Sequence, residues 1–545
     1  MSSFSPTSIA ERVILLEGWR AAFLALLAGA ASALALAPFH WFPVLFITIP
    51  LFVWLLDGAV ASVGSRGLAR FWPAFRTGWL FGFGYFLAGL WWIGTALLVD
   101  AEGFLWMLPF AVVGFPACLA IFWGIAMAVA RLAWGDGWVR LVAFAAALTL
   151  AEFVRGTILT GFPWNLPGYA FMPNAMMMQS AEFIGAYGVT FFTLFIAAAP
   201  AIFAPGAGER PRRMFLVLLS ALVLFGGHIG WGFWSLSQHP TVVNEKIKIR
   251  LVQPNIDQVE KWKPENTASI FRSYIDLSNS NTGPQTANAG AFRMIIWPES
   301  AFPFIIAEQP DALNTIDEML GPRTMLITGA MRREKPVEGK PEPQVYNSAL
   351  VLDGDGAIIE ARDKVRLVPF GEVLPFQETL ESWGLQQLTK QRGGFGRGLI
   401  RKPITLEGLP SFLPLICYEV VYPGGLMDES EERPEWIVNL TNDAWFGKSS
   451  GPYQHAHQTR VRAVEEGLPI VRVANSGISF VTDAYGRVLE QLPLGAKAVL
   501  DTALPVKRAD RTVYSRIGNL PIMISICILF LLLVGVRLIN TNRLQ

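Results

Sequence analysis

Three short segments each end an apolar run with a side chain suited to chemistry. Glu299 follows an Ile-Ile-Trp-Pro run, Lys364 lies in a charged cluster before Leu-Val-Pro-Phe-Gly-Glu, and Cys417 follows Leu-Pro-Leu-Ile. A carboxylate can accept a thiol proton, and an ammonium group can stabilise both a thiolate and an oxyanion. If these three side chains converge, they form a complete acyl-transfer site with Cys417 as the nucleophile.

Each of these residues also has an ordinary structural interpretation. A glutamate after a strand is usually a solvated charge, Lys364 would suit a charged surface, and a cysteine after Leu-Ile is often a small core residue. Cys417 decides between the interpretations because Cys118 and Cys527, the other cysteines, fall within apolar runs. An unpaired thiol in an oxidising compartment is a liability unless it has a use. We therefore favour the catalytic interpretation.

The segment 238–516 must position these side chains, and its pattern is that of a folded domain outside a membrane. Residues 246–252 alternate charged and apolar side chains, which predicts a strand with one buried face. Asp-Gly turns near 353–356 and 483–486 predict two hairpins. Helical stretches at 267–278 and 454–466 alternate with further apolar runs, at 294–296, 325–327, 412–416, 436–438 and 470–473. This order predicts an α/β domain with a mixed sheet.

The rest of the chain is too apolar for a water-soluble protein. Of 545 residues, 52% are hydrophobic and only 16% are charged, whereas soluble domains are about 25% charged. About 20 apolar residues cross a bilayer, so the long apolar runs predict eight transmembrane helices, two of them in 21–56 on either side of a proline-containing turn at 37–43. The other six are expected near 77–99, 103–130, 141–155, 183–204, 214–235 and 517–536.

The predicted domain order follows from these spans. Residues 1–237 form a membrane domain with seven transmembrane helices, 238–516 form the extramembrane domain, and 517–545 hold the eighth helix and a tail. Lys and Arg mark cytoplasmic loops, and the opposite loops, near His40, at 100–102 and at 156–182, contain neither. The loops after the second, fourth and sixth spans carry Arg66, Arg70, Arg76, Arg131, Arg140, Arg210, Arg212 and Arg213. We therefore expect both termini in the cytoplasm and the extramembrane domain on the opposite side.

Around the three candidate residues the sequence resembles the nitrilase superfamily, whose members carry Glu, Lys and Cys in this order on an αββα sandwich. The matching words are Trp-Pro-Glu-Ser, Leu-Val-Pro-Phe-Gly-Glu, Ile-Cys-Tyr-Glu and Thr-Asn-Asp-Ala-Trp-Phe-Gly, preceded by residues 253–258 and a Lys-Trp pair at 261–262. With apolar spans on both sides, the chain is similar over essentially its whole length to the bacterial apolipoprotein N-acyltransferases.

The resemblance implies a role for each matching residue. Glu299 would be the general base, Lys364 the cation that steadies the tetrahedral intermediates, and Cys417 the nucleophile that becomes an acyl thioester. Supporting positions would be Glu372, Tyr418 and Glu419, with the backbone at 418 helping to bind the oxyanion. Residues that would contact or shape the binding of substrate are Trp262, Asn442, Trp445 and Trp164.

The resemblance also implies the reaction and its setting. A membrane phospholipid would donate an acyl chain to Cys417, and the α-amine of a diacylglyceryl-cysteine lipoprotein would then attack the thioester. The expected location is the bacterial inner membrane, with a periplasmic catalytic domain and a monomeric protein. No cofactor or metal is expected, since His455 and His457 are two residues apart on a predicted helix and point to different faces. The net charge of +1 gives no reason to expect nucleic-acid binding.

Two other functions remain open from the sequence. One is a membrane-tethered amidase or nitrilase that releases ammonia from small substrates. The other is a transporter whose extramembrane domain binds solute, although span interiors nearly free of charge leave little to coordinate a solute. The glycine-rich run 393–398 is either a mobile flap over the site or a plain surface loop.

Overall fold

The computed structural model describes residues 6–204, 211–280, 289–334, 343–391, 393–427 and 432–543. The chain forms two compact units. Unit 1 comprises Met1–Gly94, Met107–His239 and Thr512–Gln545, and unit 2 comprises Thr95–Trp106 and Pro240–Arg511. The segment Thr95–Trp106 therefore groups with unit 2, although the sequence places it within the predicted membrane domain.

The secondary-structure elements in the described part of unit 1 are all helices, joined by turns and loops. In chain order, with two short helices of unit 2 included, the helices as far as residue 238 are α1 Pro6–Ile14, α2 Gly18–Ser32, α3 Leu45–Gly58, α4 Trp72–Leu90, α5 Thr95–Leu98, α6 Ala101–Phe104, α7 Phe115–Ala130, α8 Trp138–Arg155, α9 Ala175–Met178, α10 Ala181–Ala198 and α11 Pro211–Gln238. The predicted break between the first two spans falls in the turns that separate α2 from α3.

Among the described residues, six helical stretches are long and apolar enough to cross a membrane, rather than the eight that were predicted. They are Gly18–Ala35, Gly67–Leu98, Phe110–Ala130, Ala181–Phe203, Pro211–Gln238 and Leu520–Ile539. The two remaining predicted spans are helices of another kind. Helix α3 has 14 residues, which is short for a span, and α8 carries Arg140, Glu152 and Arg155. Glu152 and Arg155 are both buried and paired, with 2.5 Å between Arg155 Nη2 and Glu152 Oε2.

Unit 2 contains two β-sheets. The strands are β1 Val243–Gln253, β2 Met294–Ile296, β3 Met325–Arg333, β4 Val345–Leu352, β5 Ile358–Asp363, β6 Phe412–Ile416, β7 Trp436–Thr441, β8 Ile470–Ala474, β9 Ser479–Thr482, β10 Val488–Leu492 and β11 Ala498–Pro505. The first sheet has six strands in the order β11-β1-β2-β3-β4-β5, and the second has five in the order β10-β9-β8-β7-β6. Both sheets mix parallel and antiparallel pairs, as predicted. Crossovers join β1 to β2, β2 to β3, β6 to β7 and β7 to β8, and the antiparallel pairs are β3–β4, β4–β5, β8–β9, β9–β10 and β1–β11.

The apolar core of unit 2 lies between the sheets and continues under the helices. One cluster joins Ile249 and Met294 of the first sheet to Trp436 and Val471 of the second. A further cluster covers the other face of the first sheet with side chains of the two helices α12 Thr267–Ser278 and α13 Pro310–Met319. The later helices are α12 Thr267–Ser278, α13 Pro310–Met319, α14 Gln377–Ser382, α15 Gly451–Glu466, α16 Val513–Ile517 and α17 Leu520–Arg543. Helix α15 is buried against the second sheet, which completes an αββα sandwich.

Candidate active site

Cys417 is the first residue of a tight turn directly after β6. That strand is buried along its whole length, and the 3₁₀ turn Cys417–Val421 follows without a linker. Cys417 has a φ of 51°, in the left-handed region that L residues rarely adopt. Such a conformation costs on the order of 1–3 kcal/mol and persists only where surrounding contacts hold it. The turn therefore presents the thiol in a fixed direction.

Four side chains of the first sheet form a compact group that we call the carboxylate–lysine cluster: Glu299, Asn347, Lys364 and Glu372. Lys364 Nζ donates to Glu372 Oε1 at 2.9 Å and to Glu299 Oε1 at 3.4 Å. Asn347 Nδ2 donates to the same two oxygens, at 2.9 Å and 2.8 Å respectively. All four residues are buried. The structure thus joins Glu299, Lys364 and Glu372 by direct contact.

The ends of neighbouring strands bring this cluster together. Glu299 follows β2, Asn347 lies in β4, and Lys364 directly follows β5, where its backbone N–H donates to the Asn347 carbonyl oxygen at 2.8 Å. Gly329 of β3 permits the approach, because a Cβ atom there would lie only 2.5 Å from Glu299 Cα. Any larger residue at 329 would displace the turn that carries Glu299.

The two carboxylates of the cluster have unequal sets of donors. Glu372 receives Lys364 at 2.9 Å, Asn347 at 2.9 Å and, on Oε2, the backbone N–H of Val368 at 2.9 Å. Glu299 receives Asn347 and the longer 3.4 Å contact from Lys364. Glu372 is therefore held by three close donors, whereas Glu299 has one close donor and one longer contact.

The electrostatic setting keeps the resting nucleophile protonated and Lys364 charged. Burial raises the pKa of the Cys417 thiol, Glu299 raises it further, and Lys364 opposes both. Burial alone would lower the pKa of Lys364, but Glu372 and Glu299 outweigh it and raise that pKa above its usual range. The thiol must therefore lose its proton to a neighbouring base as it attacks, with the ammonium of Lys364 available to stabilise the anions that form.

A second group of buried side chains, which we call the aspartate–arginine network, supports Cys417 from the second sheet: Thr441, Asp443, His455 and Arg472. Arg472 Nη2 donates to Asp443 Oδ2 at 2.7 Å, and His455 Nδ1 lies 2.9 Å from Asp443 Oδ1. His455 Nε2 in turn donates to the carbonyl oxygen of Cys417 at 3.2 Å. The network therefore binds the backbone of the strained turn.

Thr441 links this network to the sulfur itself. Its Oγ1 donates to Asp443 Oδ1 at 3.1 Å. Burial raises the pKa of the Cys417 thiol, and the Thr441 hydroxyl opposes that effect, because its single proton can turn from Asp443 to the sulfur and stabilise the thiolate. Burial works against ionisation of Asp443, but Arg472 and His455 overcome it and hold the Asp443 pKa at about 2. Asp443 is therefore a permanent anion at neutral pH.

Glu419 and Tyr418 lie within the turn itself. Glu419 accepts backbone N–H groups from Ile416 at 2.9 Å, Val365 at 2.9 Å and Arg366 at 3.0 Å, so its carboxylate ties the nucleophile turn to the segment after Lys364. It positions the two reactive groups relative to each other. The Tyr418 ring packs edge-on against another tyrosine ring at 5.1 Å.

The predicted substrate-contacting residues differ in their exposure. Trp262 is 45% exposed and Trp445 is partly exposed, so both offer ring surface to a ligand. Asn442 is buried, and its Nδ2 donates to Gln258 Oε1 at 2.7 Å, which makes it a bridge between loops. Trp164 belongs to unit 1 and is 1% exposed, with its ring against that of Trp92 at 5.1 Å. Its side chain is a packing element as placed, and the expected contact of Trp164 with substrate stays a prediction.

The glycine-rich run 393–398 lies against the site. The N–H of Gly398 donates to the Lys364 carbonyl oxygen at 2.8 Å, and the N–H of Gly396 donates to the Val345 carbonyl oxygen at 2.7 Å.

No group of three His, Cys, Asp or Glu residues in the described parts of the chain could hold a metal ion.

Several functional positions escaped the sequence analysis. Asn347 sits inside an apolar strand run, where an asparagine is conspicuous only once its neighbours are known. Helix α15 contains His455 and lies between Asp443 and Arg472 in the sequence. The sequence suggested His455 only as a possible metal ligand. Lys261 is buried next to Trp262, a residue the motifs did single out. A buried polar residue within an apolar run was the one available signal.

Two family models match separate parts of this chain. The family model for the carbon-nitrogen hydrolases matches residues 248–514, and the model for the apolipoprotein N-acyltransferase N-terminal domain matches residues 28–199. Among solved structures, the amidase from Nesterenkonia sp. AN1, in a variant with acrylamide added at its active-site cysteine, aligns at 17% identity with a TM-score of 0.34, over 50% of this chain and 98% of the amidase. Fold and site together define a nitrilase-type α/β domain attached to apolar, membrane-type helices.

Whole-chain relatives narrow the class. The apolipoprotein N-acyltransferase of Rhodopseudomonas palustris is 44% identical over 529 residues, 96% of each chain. That of Bradyrhizobium diazoefficiens is 46% identical over 538 residues, 98% of this chain and 99% of the relative. The chain therefore belongs to the apolipoprotein N-acyltransferase family, and it is a bacterial membrane enzyme of the acyltransferase class.

Proposed function

We propose that this protein transfers an acyl chain from a membrane phospholipid, through a thioester on Cys417, to the α-amino group of a diacylglyceryl-cysteine lipoprotein. The observation that carries the proposal is the carboxylate–lysine cluster, whose charges act on a buried, strained cysteine. The chain belongs to this family and has long apolar helices before and after unit 2 in the sequence. The cluster supplies a base and a cation, and the helices suit substrates that are themselves held by a bilayer.

In the first step Glu299 accepts the thiol proton as Cys417 Sγ attacks the ester carbonyl carbon of the phospholipid. Lys364 stabilises the negative charge that develops on the carbonyl oxygen. The ester C–O bond then breaks, the departing oxygen takes the proton back from Glu299, and a lysophospholipid leaves. The products are the Cys417 thioester and a protonated lysophospholipid hydroxyl, and Glu299 is a carboxylate again.

In the second step the α-amine of the lipoprotein attacks the thioester carbonyl carbon and gives a proton to Glu299. The C–S bond breaks, the sulfur recovers that proton, and an amide is formed. Water must be excluded between the steps, or the thioester hydrolyses. Trp262 and Trp445, which offer partly exposed rings, would line the approach of acyl chains, and Asn442 would hold the loops between them.

The membrane arrangement in this proposal keeps eight spans. The helices α3 and α8 supplement the six long apolar helices, because the charges of α8 are neutralised within the fold: Glu152 pairs with Arg155 and also accepts a hydrogen bond from Trp123 at 2.8 Å. The arginine bias of the loops then directs both termini to the cytoplasm and the catalytic unit to the periplasmic side of the inner membrane. The protein would act as a monomer, since one chain carries every residue used in the two steps.

The test uses the purified full-length protein with a phospholipid carrying a labelled acyl chain and a diacylglyceryl-cysteine peptide. We expect labelled N-acyl peptide and an equal amount of lysophospholipid, with neither product formed by Cys417→Ala. Short amides are offered in parallel. Ammonia released from them, with no acyl peptide formed, would contradict the proposal and favour a membrane-tethered amidase.

A further inference from the structure

Lys261 is a buried lysine beside the site that the reaction described above does not use. The residue has no exposed surface, and its Nζ has no hydrogen-bond partner among the described residues. Lysine is almost never fully buried unless it is paired, because an isolated ammonium loses its hydration without compensation. A charge kept in such a place at a cost in stability calls for a function.

The fold holds Lys261 in this position. It lies in the loop after β1, and β1 pairs in parallel with β2, whose end carries Glu299. The loop is fastened to the second sheet: Asn475 Nδ2 donates to the Ile256 carbonyl oxygen at 2.8 Å, and Asn442 Nδ2 donates to Gln258 Oε1 at 2.7 Å. The side chain therefore cannot reach water without the loop coming away from two anchors.

Two interactions describe the surroundings of this ammonium group. Its Nζ lies 5.6 Å from the centroid of the Trp262 ring, and the carboxylate of Glu299 is the charged group that acts on it. Burial lowers the pKa of Lys261 to about 8, while Glu299 pulls that pKa upward. At pH 7 Lys261 thus remains mostly charged, and it lies close enough to Glu299 to feel the charge of that carboxylate.

The charges of the carboxylate–lysine cluster show what this cation supplies. Glu299 and Glu372 share one ammonium, that of Lys364, and one amide, that of Asn347. Two carboxylates held this close disfavour simultaneous ionisation, and the cluster alone carries one excess negative charge. Lys261 brings the sum to zero.

We propose that Lys261 is a positioning residue of the acyl-transfer site, whose buried ammonium balances the second carboxylate and keeps Glu299 ionised and ready to accept the Cys417 proton. The inference rests on the proposed thioester function and adds a fourth charged group to it. The groups that act on Glu299 are then Lys364 and Glu372 in the cluster, Cys417 at the nucleophile turn and Lys261 in the loop after β1.

The test compares three variants of the full-length protein: Lys261→Met, Lys261→Arg and, as a matched control, Lys263→Met. Lys263 lies two residues away but is exposed and paired with Glu260 at 2.6 Å. Acyl loading of Cys417 from phospholipid is followed by intact mass between pH 5.5 and 9, and the thermal midpoint of each variant is recorded.

We expect Lys261→Met to keep or raise the thermal midpoint, because it removes an unpaired buried charge. Its loading rate at pH 6.5 should fall at least about tenfold and recover as the pH rises, since a carboxylate that has lost a nearby cation takes up protons at higher pH. Lys261→Arg should keep the wild-type pH profile, and Lys263→Met should match the wild type in every measurement.

Two results would overturn the inference. One is an unchanged rate and pH profile in Lys261→Met. The other is a lowered thermal midpoint with a loss of rate that no pH restores, which would make Lys261 a purely structural residue. Absence of any adduct in the wild type would instead remove the thioester function, so failure of the proposed function and failure of this inference are distinguishable.

Discussion

The two buried polar groups around Cys417 come from different sheets and treat protons differently. In the carboxylate–lysine cluster of the first sheet, two carboxylates share their donors unequally, and Glu299 has fewer close donors than Glu372. In the aspartate–arginine network of the second sheet, Asp443 is matched by Arg472 and its pKa is about 2. In the proposed mechanism the first group performs proton transfer, and the second holds Cys417 in place.

This difference shows how one sandwich separates chemistry from support. A general base must accept a proton and later release it, so its hydrogen-bond donors must not lock it in the ionised form. A support must have one state only, so its buried charges are paired with each other. Breaking either group should therefore produce a distinct failure: lost rate with an intact fold in the first sheet, and lost stability in the second.

The largest effect on rate is expected for Glu299→Gln. The amide retains the shape of the side chain and a carbonyl oxygen for Asn347, but it cannot accept the thiol proton. Acyl loading should fall by about 10²–10⁴-fold, with a thermal midpoint close to that of the wild type. A rate within a few-fold of the wild type would remove Glu299 from its role as the base. The intact-mass time course with phospholipid measures this directly.

The largest effect on stability is expected for Asp443→Asn. The substitution leaves the Arg472 guanidinium buried without its counter-ion, and breaking a buried pair in this way costs about 3–5 kcal/mol. We expect a thermal midpoint lower by many degrees, whereas Glu260→Gln, which breaks the exposed pair with Lys263, should leave it unchanged.

The pH dependence of this support follows from the Asp443 pKa of about 2. A carboxyl group with a depressed folded-state pKa stabilises the fold at pH values above its unfolded pKa, near 3.9. That contribution is lost only as the pH falls from about 4 towards 2. An Asp443→Asn protein that was as stable as the wild type at pH 7 would contradict the role of the network.

A smaller effect is expected for Thr441→Val, which removes one hydroxyl from the junction between the two groups. The thiolate loses a hydrogen bond, and such bonds to charged groups contribute about 1.5–3 kcal/mol, so alkylation of Cys417 by iodoacetamide at neutral pH should slow by roughly 10–100-fold. Thr441→Ser should behave as the wild type. The rates are measured in a protein with Cys118→Ala and Cys527→Ala, and equal rates for Val and Thr would exclude the contact with sulfur.

Much of unit 2 was predictable because its signals are local. Charged and apolar residues alternate in β1, and Asp353 and Asp483 begin turns in which each side chain accepts backbone N–H groups, so the strands and hairpins followed from the sequence. The three ionisable residues at strand ends were predictable for the same reason. Their contacts confirm the convergence of Glu299 and Lys364 that the strand ends implied.

The parts that escaped prediction depend on partners distant in the chain. Asn347 has meaning only between two carboxylates, and Arg472 only opposite Asp443, across a crossover helix. Helix α8 is a different case, because Glu152 and Arg155 are only three residues apart and neutralise each other within the fold. The burial of Lys261 could not be predicted from the sequence, because the residues on either side of it, Glu260 and Trp262, are exposed.

Intact mass of the full-length protein, incubated with phospholipid and no acceptor, tests the central claim most directly. We predict one added acyl group per chain, removed by hydroxylamine, shed on addition of a diacylglyceryl-cysteine peptide, and absent from Cys417→Ala. An unmodified wild-type protein that nevertheless forms N-acyl peptide at full rate, or an adduct that persists in Cys417→Ala, would contradict a thioester at this cysteine.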